Sequence, residues 1–297
     1  MKSKLVSVII NSYNGAKFIE KSVNSVLEQS YDNLEIIFWD NASEDNTKDV
    51  ISKIIFDKRF KYFYSSKFQK LYEAKDEAIK FAKGEYLAFL DVDDWWKRDK
   101  LTKQISEMEK NSSLISCSNY YVFNEKKNTT KKIFTKNINT KNSFETALEK
   151  YFIGMSTLVI KKDFYDTLDY GFDKSFEVIG DFDLVLRSLK KTNILYIPEA
   201  MSYYRWHNFN LSNRKFRLNI LELIKWRNNM KKKEFFSLKN LLILNDHLIY
   251  LISLYFKNNN RKIKILLFLK NINSLKKKFL ILIIFLIPKQ IYNIIRS

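Results

Sequence analysis

The chain has 297 residues, of which 46% are hydrophobic, 15% aromatic and 29% charged, enough to bury a substantial core in one large domain or a domain with an appendage. Five glycines, two prolines and one cysteine exclude collagen-like and low-complexity architectures, an intramolecular disulfide and a Cys/His zinc cluster. The net charge of +19 is unevenly placed: Arg214 to Ser297 holds 19 Lys/Arg against three acids, leaving 33 basic and 30 acidic residues before it, so a near-neutral domain precedes a basic tail suited to an anionic surface.

Residues 6–10, Val-Ser-Val-Ile-Ile, read as a buried strand and residues 11–15, Asn-Ser-Tyr-Asn-Gly, as the loop leaving it. Phe18, Ile19, Val23, Val26 and Leu27 recur at helical spacing over residues 16–28. A second strand at 34–39 runs to Asp40, and the polar run 41–46 precedes a helix carrying Val50, Ile51, Ile54 and Ile55. A short strand at 60–64 is followed by a helix over 71–82, with Gly84 as its expected C-cap. Residues 85–90 form a fourth strand that runs into Asp91-Val92-Asp93-Asp94-Trp95-Trp96. This alternation predicts an α/β fold with a doubly wound, parallel sheet.

The middle of the chain reads as α+β: strands at 114–123 and 157–160, a polar loop at 125–132 and helices over 144–151 and 181–191. Segments 194–197 and 200–206 look extended, and residues 214–297 read as helical, with apolar runs between lysine clusters such as Lys276-Lys277-Lys278. Cys117, in an apolar run, is expected to be a buried, inert thiol. There is no secretory signal, and the longest clean apolar run, 279–287, is about half the roughly 20 residues a membrane span needs. The expectation is a cytoplasmic protein whose basic, amphipathic tail rests on the inner face of the cytoplasmic membrane, or else packs on the protein itself.

In open α/β sheets ligands bind outside the carboxyl ends of the strands, where the polar clusters 11–14, 40–43 and 91–94 all fall. No Gly-rich dinucleotide or P-loop motif follows any strand. Three carboxylates in four positions, Asp91, Asp93 and Asp94, repel one another unless a cation or its substrate counterbalances them. Hard divalent cations with diphosphate ligands need one or two such carboxylates. An acidic helix N-terminus is the alternative reading.

Together these segments resemble glycosyltransferase family 2, the inverting nucleotide-sugar transferases of GT-A fold. The matching stretches are residues 6–14, Asp40-Asn41-Ala42-Ser43, residues 82–94, Asp181-Phe182-Asp183-Leu184-Val185-Leu186-Arg187 and Tyr203-Tyr204-Arg205-Trp206-His207. They keep the family's order over about residues 4–213, implying a GT-A catalytic domain at 1–213 and a helical extension at 214–297. The resemblance implies that Ser12 and Tyr13 line a nucleobase pocket, that Asp40 accepts from a uracil or thymine N–H, and that Asp91 lies near the ribose and donor sugar. It further implies Asp93 on Mn²⁺ or Mg²⁺, Asp181 as catalytic base, and Arg205 and His207 as contacts to phosphate or metal.

The implied reaction transfers a sugar from a UDP- or dTDP-sugar to a hydroxyl of a saccharide or lipid-linked acceptor in bacterial surface polysaccharide synthesis. No nucleic-acid module is present. Asp183 reads as a first-turn acid or a support to Asp181, Arg187 as a structural ion-pair partner rather than a catalytic residue, and Trp95 and Trp96 are candidates for stacking on an acceptor or anchoring the core. The sequence departs from the family pattern at Asn11, Asn41-Ala42, Lys75-Asp76 and Gly180, where Pro, Asp-Gly, Arg-Asn and Glu are usual. The alternatives are a non-catalytic nucleotide-sugar-binding relative and a nucleotidyltransferase, whose usual Gly-rich first loop is missing.

Overall fold

Strand β1 (Val6–Ser12) is buried along its whole length, as a strand covered on both faces must be, with Ser7 satisfied by a hydrogen bond to Glu35. Helix α1 (Ala16–Leu27), β2 (Leu34–Asp40), α2 (Thr47–Ser52), β3 (Phe60–Tyr64), α3 (Leu71–Ile79) and β4 (Tyr86–Asp91) follow. β1 pairs in parallel with both β2 and β4, and β2 with β3. The registers set Ser12 opposite Asp40, Asn11 opposite Asp91, and Asp40 opposite Tyr64. The polar ends of the strands are thereby aligned along one edge of the sheet.

The computed structural model describes residues 3–258. The next elements are β5 (Trp95–Trp96), α4 (Lys100–Lys110), β6 (Ile115–Asn124), β7 (Thr129–Lys132), α5 (Ser143–Glu149), β8 (Val159–Lys161), α6 (Lys162–Asp166), α7 (Gly180–Leu189) and β9 (Leu195–Trp206). The sheet runs β3-β2-β1-β4-β8-β6-β9-β5, with β7 on β6. It is mixed: β8 is antiparallel to β4 and β6, whereas β9 is parallel to β6. Ile10, Phe38, Leu90, Trp96, Leu101 and Val159 belong to one apolar cluster beneath the strand ends.

Several local expectations change. α3 ends at Ile79, and Gly84 does not cap it. Gly84 instead admits a close approach, since a Cβ there would lie 2.6 Å from the Ser7 backbone nitrogen. The polar segment expected to be a loop at 125–132 contains β7, which forms a hairpin with β6. The two extended pieces near 194–206 are one strand, interrupted by a bulge where the register passes from Ile197 to Ala200. Pro198, lacking an N–H, falls in that bulge, where strands tolerate proline. Cys117 is buried, and burial raises its thiol far above the usual range, which fits an inert side chain.

The chain divides between Asn210 and Leu211 into two compact units. The second contains α8 (Leu211–Arg214), α9 (Phe216–Lys232) and α10 (Leu238–Asn258). Within it the buried Trp226 meets Phe235 and Phe236 edge-on, at centroid distances of 6.2 and 5.3 Å. No described helix is long and apolar enough to cross a membrane. The lysine-rich apolar runs from residue 263 onward lie outside the described residues.

Candidate active site

The loops after β1, β2 and β3 are knitted together by side-chain hydrogen bonds. Asn14 accepts from the Glu44 N–H and donates its own N–H to Ser43 Oγ, while Asn41 exchanges hydrogen bonds with the Gln69 backbone. Asn14 and Ala42 both have positive φ, 52° and 60°. Asn tolerates this region, whereas Ala adopts it at some cost in backbone strain. On the rim, Tyr13 and Phe68, both exposed, meet edge-to-face with centroids 4.6 Å apart. Ser12 Oγ and Asn11 Oδ1 are buried at the same strand end without a hydrogen-bond partner.

Asp40 is only 1% exposed. One carboxylate oxygen accepts from the Ser43 N–H at 3.0 Å and the other from the Tyr62 hydroxyl at 2.8 Å. Burial and this carboxylate hold the Tyr62 phenol above its usual range. Asp40 therefore shapes the turn at 41–43 from beneath through the Ser43 N–H.

The crowding of Asp91, Asp93 and Asp94 is relieved by a different partner for each. Asp91 Oδ1 accepts from Lys75 Nζ at 2.7 Å, and Lys75 is fully buried. Asp93 Oδ2 lies 3.0 Å from His207 Nε2 and 3.4 Å from Asn210 Nδ2. Asp94 is buried, accepting from Ser156 Oγ at 2.5 Å and from the Arg205 N–H at 3.0 Å. Burial, with the charges of Asp93 and Asp91 beside it, raises Asp94 well above the usual carboxylate range. Ser156 also accepts from the Asp91 N–H, and its carbonyl accepts from Trp96 Nε1. Trp96 is thus a core anchor, whereas Trp95 stacks on Tyr203 at 4.9 Å.

His207 is buried against Phe18, with ring centroids 5.1 Å apart. Its Nδ1 accepts from the Phe209 N–H, which directs Nε2 at Asp93. Arg205 donates from Nε to the Asp93 carbonyl at 2.9 Å, and its guanidinium lies over the Trp95 and Phe18 rings at 4.8 and 5.1 Å. It therefore holds the Asp93 backbone rather than presenting a free cation to phosphate.

Asp181 lies in the first turn of α7 and accepts from the Tyr72 hydroxyl at 2.8 Å. The helix N-terminus favours its charge, but burial raises its pKa above the ordinary carboxylate range, and the nearby charge of Asp91 adds to that. Tyr151, whose buried hydroxyl meets no partner at full hydrogen-bond geometry, lies near enough to Asp181 that burial first, and then the Asp181 charge and a loose contact to its carboxylate, raise its phenol. Asp183 is buried two residues on and receives two hydrogen bonds from Arg187, which also donates to the carbonyls of Tyr170 and Gly171. This pair is structural.

The arrangement brings together a buried cation, a carboxylate–imidazole pair and an isolated carboxylate at the ends of parallel strands, around a rim of exposed aromatics. A family model described as Glycosyl transferase family 2 matches residues 7–169. The chain belongs to that family. The Escherichia coli UDP-Glc:alpha-D-GlcNAc-diphosphoundecaprenol beta-1,3-glucosyltransferase WfaP is 32% identical over 230 residues, covering 77% of this chain and 86% of the relative. A second E. coli enzyme with the same described activity, WfgD, is 32% identical over 219 residues, covering 73% and 83%. Among solved structures, Staphylococcus aureus TarS 1–349 in complex with UDP-GlcNAc superposes with a TM-score of 0.59 at 14% identity, covering 84% of this chain and 72% of that one. The Pyrobaculum calidifontis mannosyltransferase PcManGT in complex with GDP-Man and Mn²⁺ gives 0.56 at 16% identity, covering 82% and 69%. The fold of this family 2 glycosyltransferase is therefore GT-A.

Tyr72, Tyr62, Ser156, Phe68 and Asn210 were not singled out by the sequence, and Lys75 only as a departure from the usual Arg. Asn210 follows His207 by three residues and accepts from its N–H, whereas the others come to the site from separate parts of the chain, where no local spacing marks them.

Proposed function

We propose that the chain transfers a sugar, with inversion, from a UDP- or dTDP-sugar to a hydroxyl of a saccharide or lipid-linked acceptor in bacterial surface polysaccharide synthesis. The observation that carries this reading is the pairing of Asp93 with His207 at the strand ends, together with an Asp181 that feels the charge of Asp91. The names of the E. coli relatives support a UDP-sugar donor and a diphosphoundecaprenol-linked acceptor.

On this reading Tyr13 and Phe68 flank the nucleobase, and the unpartnered Ser12 hydroxyl faces the nucleotide. Asp40 supports that pocket through Ser43 and Tyr62, each on a different carboxylate oxygen, and each oxygen keeps a further lone pair with which to accept from a base N–H. Asp93 offers a carboxylate oxygen, and His207 would offer Nε2 once its proton moves to Nδ1 at the expense of the Phe209 N–H contact, a donor pair that would suit Mn²⁺ or Mg²⁺. Among the described residues no group of three or more His, Cys, Asp or Glu side chains is arranged to hold a cation unaided, so the donor diphosphate completes the site. When bound, the cation offsets charge on the departing nucleoside diphosphate. Asp181 takes the proton of the attacking acceptor hydroxyl, Lys75 balances Asp91 beside the donor, and Arg205 fixes the Asp93 backbone.

A thermal-shift series with UDP, dTDP, GDP and CDP, each with Mn²⁺ and with EDTA, tests the donor site. Occupancy at 100 times Kd adds about 2.7 kcal/mol, worth roughly 5–10 °C for a unit of this size. The rise is expected with UDP or dTDP, only with metal, and should vanish in Asp93→Ala. Unchanged affinity of that variant for UDP with Mn²⁺ would remove Asp93 from the cation site.

We assign residues 214–297 to contact with an anionic membrane surface, on the strength of their charge and of exposed Leu221, Leu238 and Leu242 among lysines. Deleting residues 263–297 should reduce co-sedimentation with anionic vesicles severalfold and weaken its dependence on salt. Undiminished vesicle binding by the truncated chain would rule out that stretch as the anchor.

A further inference from the structure

We propose that Tyr72 is the positioning residue for Asp181, and that residue 180 is glycine because the Tyr72 ring occupies the space a side chain there would need. This rests on Asp181 being the catalytic base and adds how its carboxylate is held and kept ionised.

Gly180 does not owe its identity to backbone conformation, because no glycine among the described residues has positive φ. The reason is steric. A Cβ on Gly180 would lie 2.4 Å from Cγ and Cδ2 of Tyr72 and 2.8 Å from Cδ1. Such contacts are far inside van der Waals separation, and the obstacle is a ring that is itself pinned. Tyr72 is 4% exposed and stacks on the buried Phe172 with centroids 5.3 Å apart. A side chain at position 180 therefore displaces the Tyr72 ring, and with it the hydroxyl.

That hydroxyl has one proton and two acceptors in reach, Asp181 Oδ1 at 2.8 Å and the Val178 carbonyl at 3.1 Å. The shorter contact, to a charged acceptor, is the stronger one. Its partners come from different parts of the chain, Tyr72 from α3 and Asp181 from α7, so it fixes the carboxylate relative to the sheet as well as to its own helix.

The groups facing Asp181 do not all act in one direction. The Phe182 N–H and the Tyr72 hydroxyl favour the carboxylate form, whereas burial and the charge of Asp91, itself paired with Lys75, oppose it. The Tyr151 hydroxyl also lies close to Asp181, in a contact too loose to meet hydrogen-bond geometry, and its phenol is raised by burial and by the Asp181 charge. Tyr72 is the largest of the influences that keep Asp181 ionised. A base must be deprotonated before the acceptor hydroxyl arrives, so this contact sets the lower pH limit of transfer.

The test is the pH dependence of kcat/KM for the full chain with UDP-sugar and acceptor. Tyr72→Phe keeps the ring, its stacking and the steric block, and removes only the hydroxyl. Transfer needs ionised Asp181 and is lost as pH falls through its pKa; without the hydroxyl that pKa rises. The acid limb should move to higher pH by roughly one unit, with kcat reduced about tenfold and donor KM unchanged. Gly180→Ala should give the same shift by expelling the ring, and the double variant should add little to either. An acid limb and kcat unchanged in Tyr72→Phe would overturn the proposal. Asp181→Asn separates this from the parent reading: wild-type turnover in that variant refutes the base, whereas loss of turnover there with an unshifted Tyr72→Phe profile refutes only the role of Tyr72.

Discussion

Asp181→Asn is expected to bind nucleotide-sugar as tightly as the wild-type chain and to transfer it about 10²–10⁴-fold more slowly, the range a positioned general base contributes. Asn has nearly the shape of Asp, and its side-chain oxygen can still accept from the Tyr72 hydroxyl that holds position 181. The polar frame of α3 and α7 therefore survives, and what disappears is the ability to accept a proton. On the proposed reading donor binding rests on Asp93, His207 and the loops after β1 and β2, none of which Asp181 is seen to contact. The loss should therefore appear in kcat and leave donor affinity intact. Calorimetric titration with UDP and metal, run beside initial-rate measurements, separates the two quantities. Turnover within a fewfold of wild type would defeat the base assignment, and loss of donor binding would place Asp181 in the donor site instead. In the wild-type chain the raised pKa of Asp181 should bring the acid limb of kcat/KM in above the ordinary carboxylate range.

The strand order around the centre of the sheet is a direct consequence of patterns visible in the sequence. β1, β2 and β4 are apolar runs of six or seven residues that end in polar residues, and parallel pairing with helical crossovers leaves few ways to arrange them. The second half is harder to read for identifiable reasons. β5 is two tryptophans long and exists only through pairing with Tyr203 and Ser202. β7 is Thr-Thr-Lys-Lys, fully exposed, and owes its conformation to hydrogen bonds with β6 rather than to burial. Gly84 carried a plausible local signal, a glycine after a helical run, yet its role is contact with Ser7 from a strand far away in sequence.

The site divides along the same line. The Asp-x-Asp segment, Asp181 and His207 stand out because the chemistry is written into contiguous residues. What balances their charge is not. Lys75 comes from the middle of α3, where lysine in a helix usually means a solvated face, and it is instead buried against Asp91. Ser156, in a short helical turn, links Asp94 to Asp91 and to Trp96, and a serine has no spacing rule that would announce this. The family resemblance of residues 203–207 implies a phosphate contact for Arg205. Its guanidinium stacks on Trp95 and Phe18, and its Nε holds the Asp93 carbonyl, contacts set by the pairing of β5 with β9.

A second large effect is expected at Lys100, the first residue of α4, which is fully buried. Its ammonium donates to Gln104 Oε1 at 3.0 Å and lies 4.0 Å from the Trp96 ring. Among the described residues no carboxylate pairs with it, and burial pushes its pKa down to about 7. Between that value and the ordinary 10.5 of an unfolded lysine the unfolded chain binds more protons than the folded one, so folding stability rises with pH across that window. The full difference corresponds to roughly 5 kcal/mol at low pH, at about 1.36 kcal/mol per unit. Lys100→Met keeps the apolar stem and removes the charge, at the expense of leaving the Gln104 oxygen without a donor, which costs about 1–3 kcal/mol. The variant should therefore be more stable than wild type by about 2–4 kcal/mol at pH 6, and the gap should close by about 2–3 kcal/mol at pH 9. Urea unfolding of both chains at the two pH values measures this. A stability difference that is the same at pH 6 and pH 9 would mean that Lys100 does not titrate in this window. The residue sits under Trp96, whose indole N–H binds the Ser156 carbonyl while the Ser156 hydroxyl binds Asp94. This buried lysine thus lies three contacts from the acid cluster, through Trp96 and Ser156 to Asp94, and the stability it costs is spent in the layer that fixes the carboxylates.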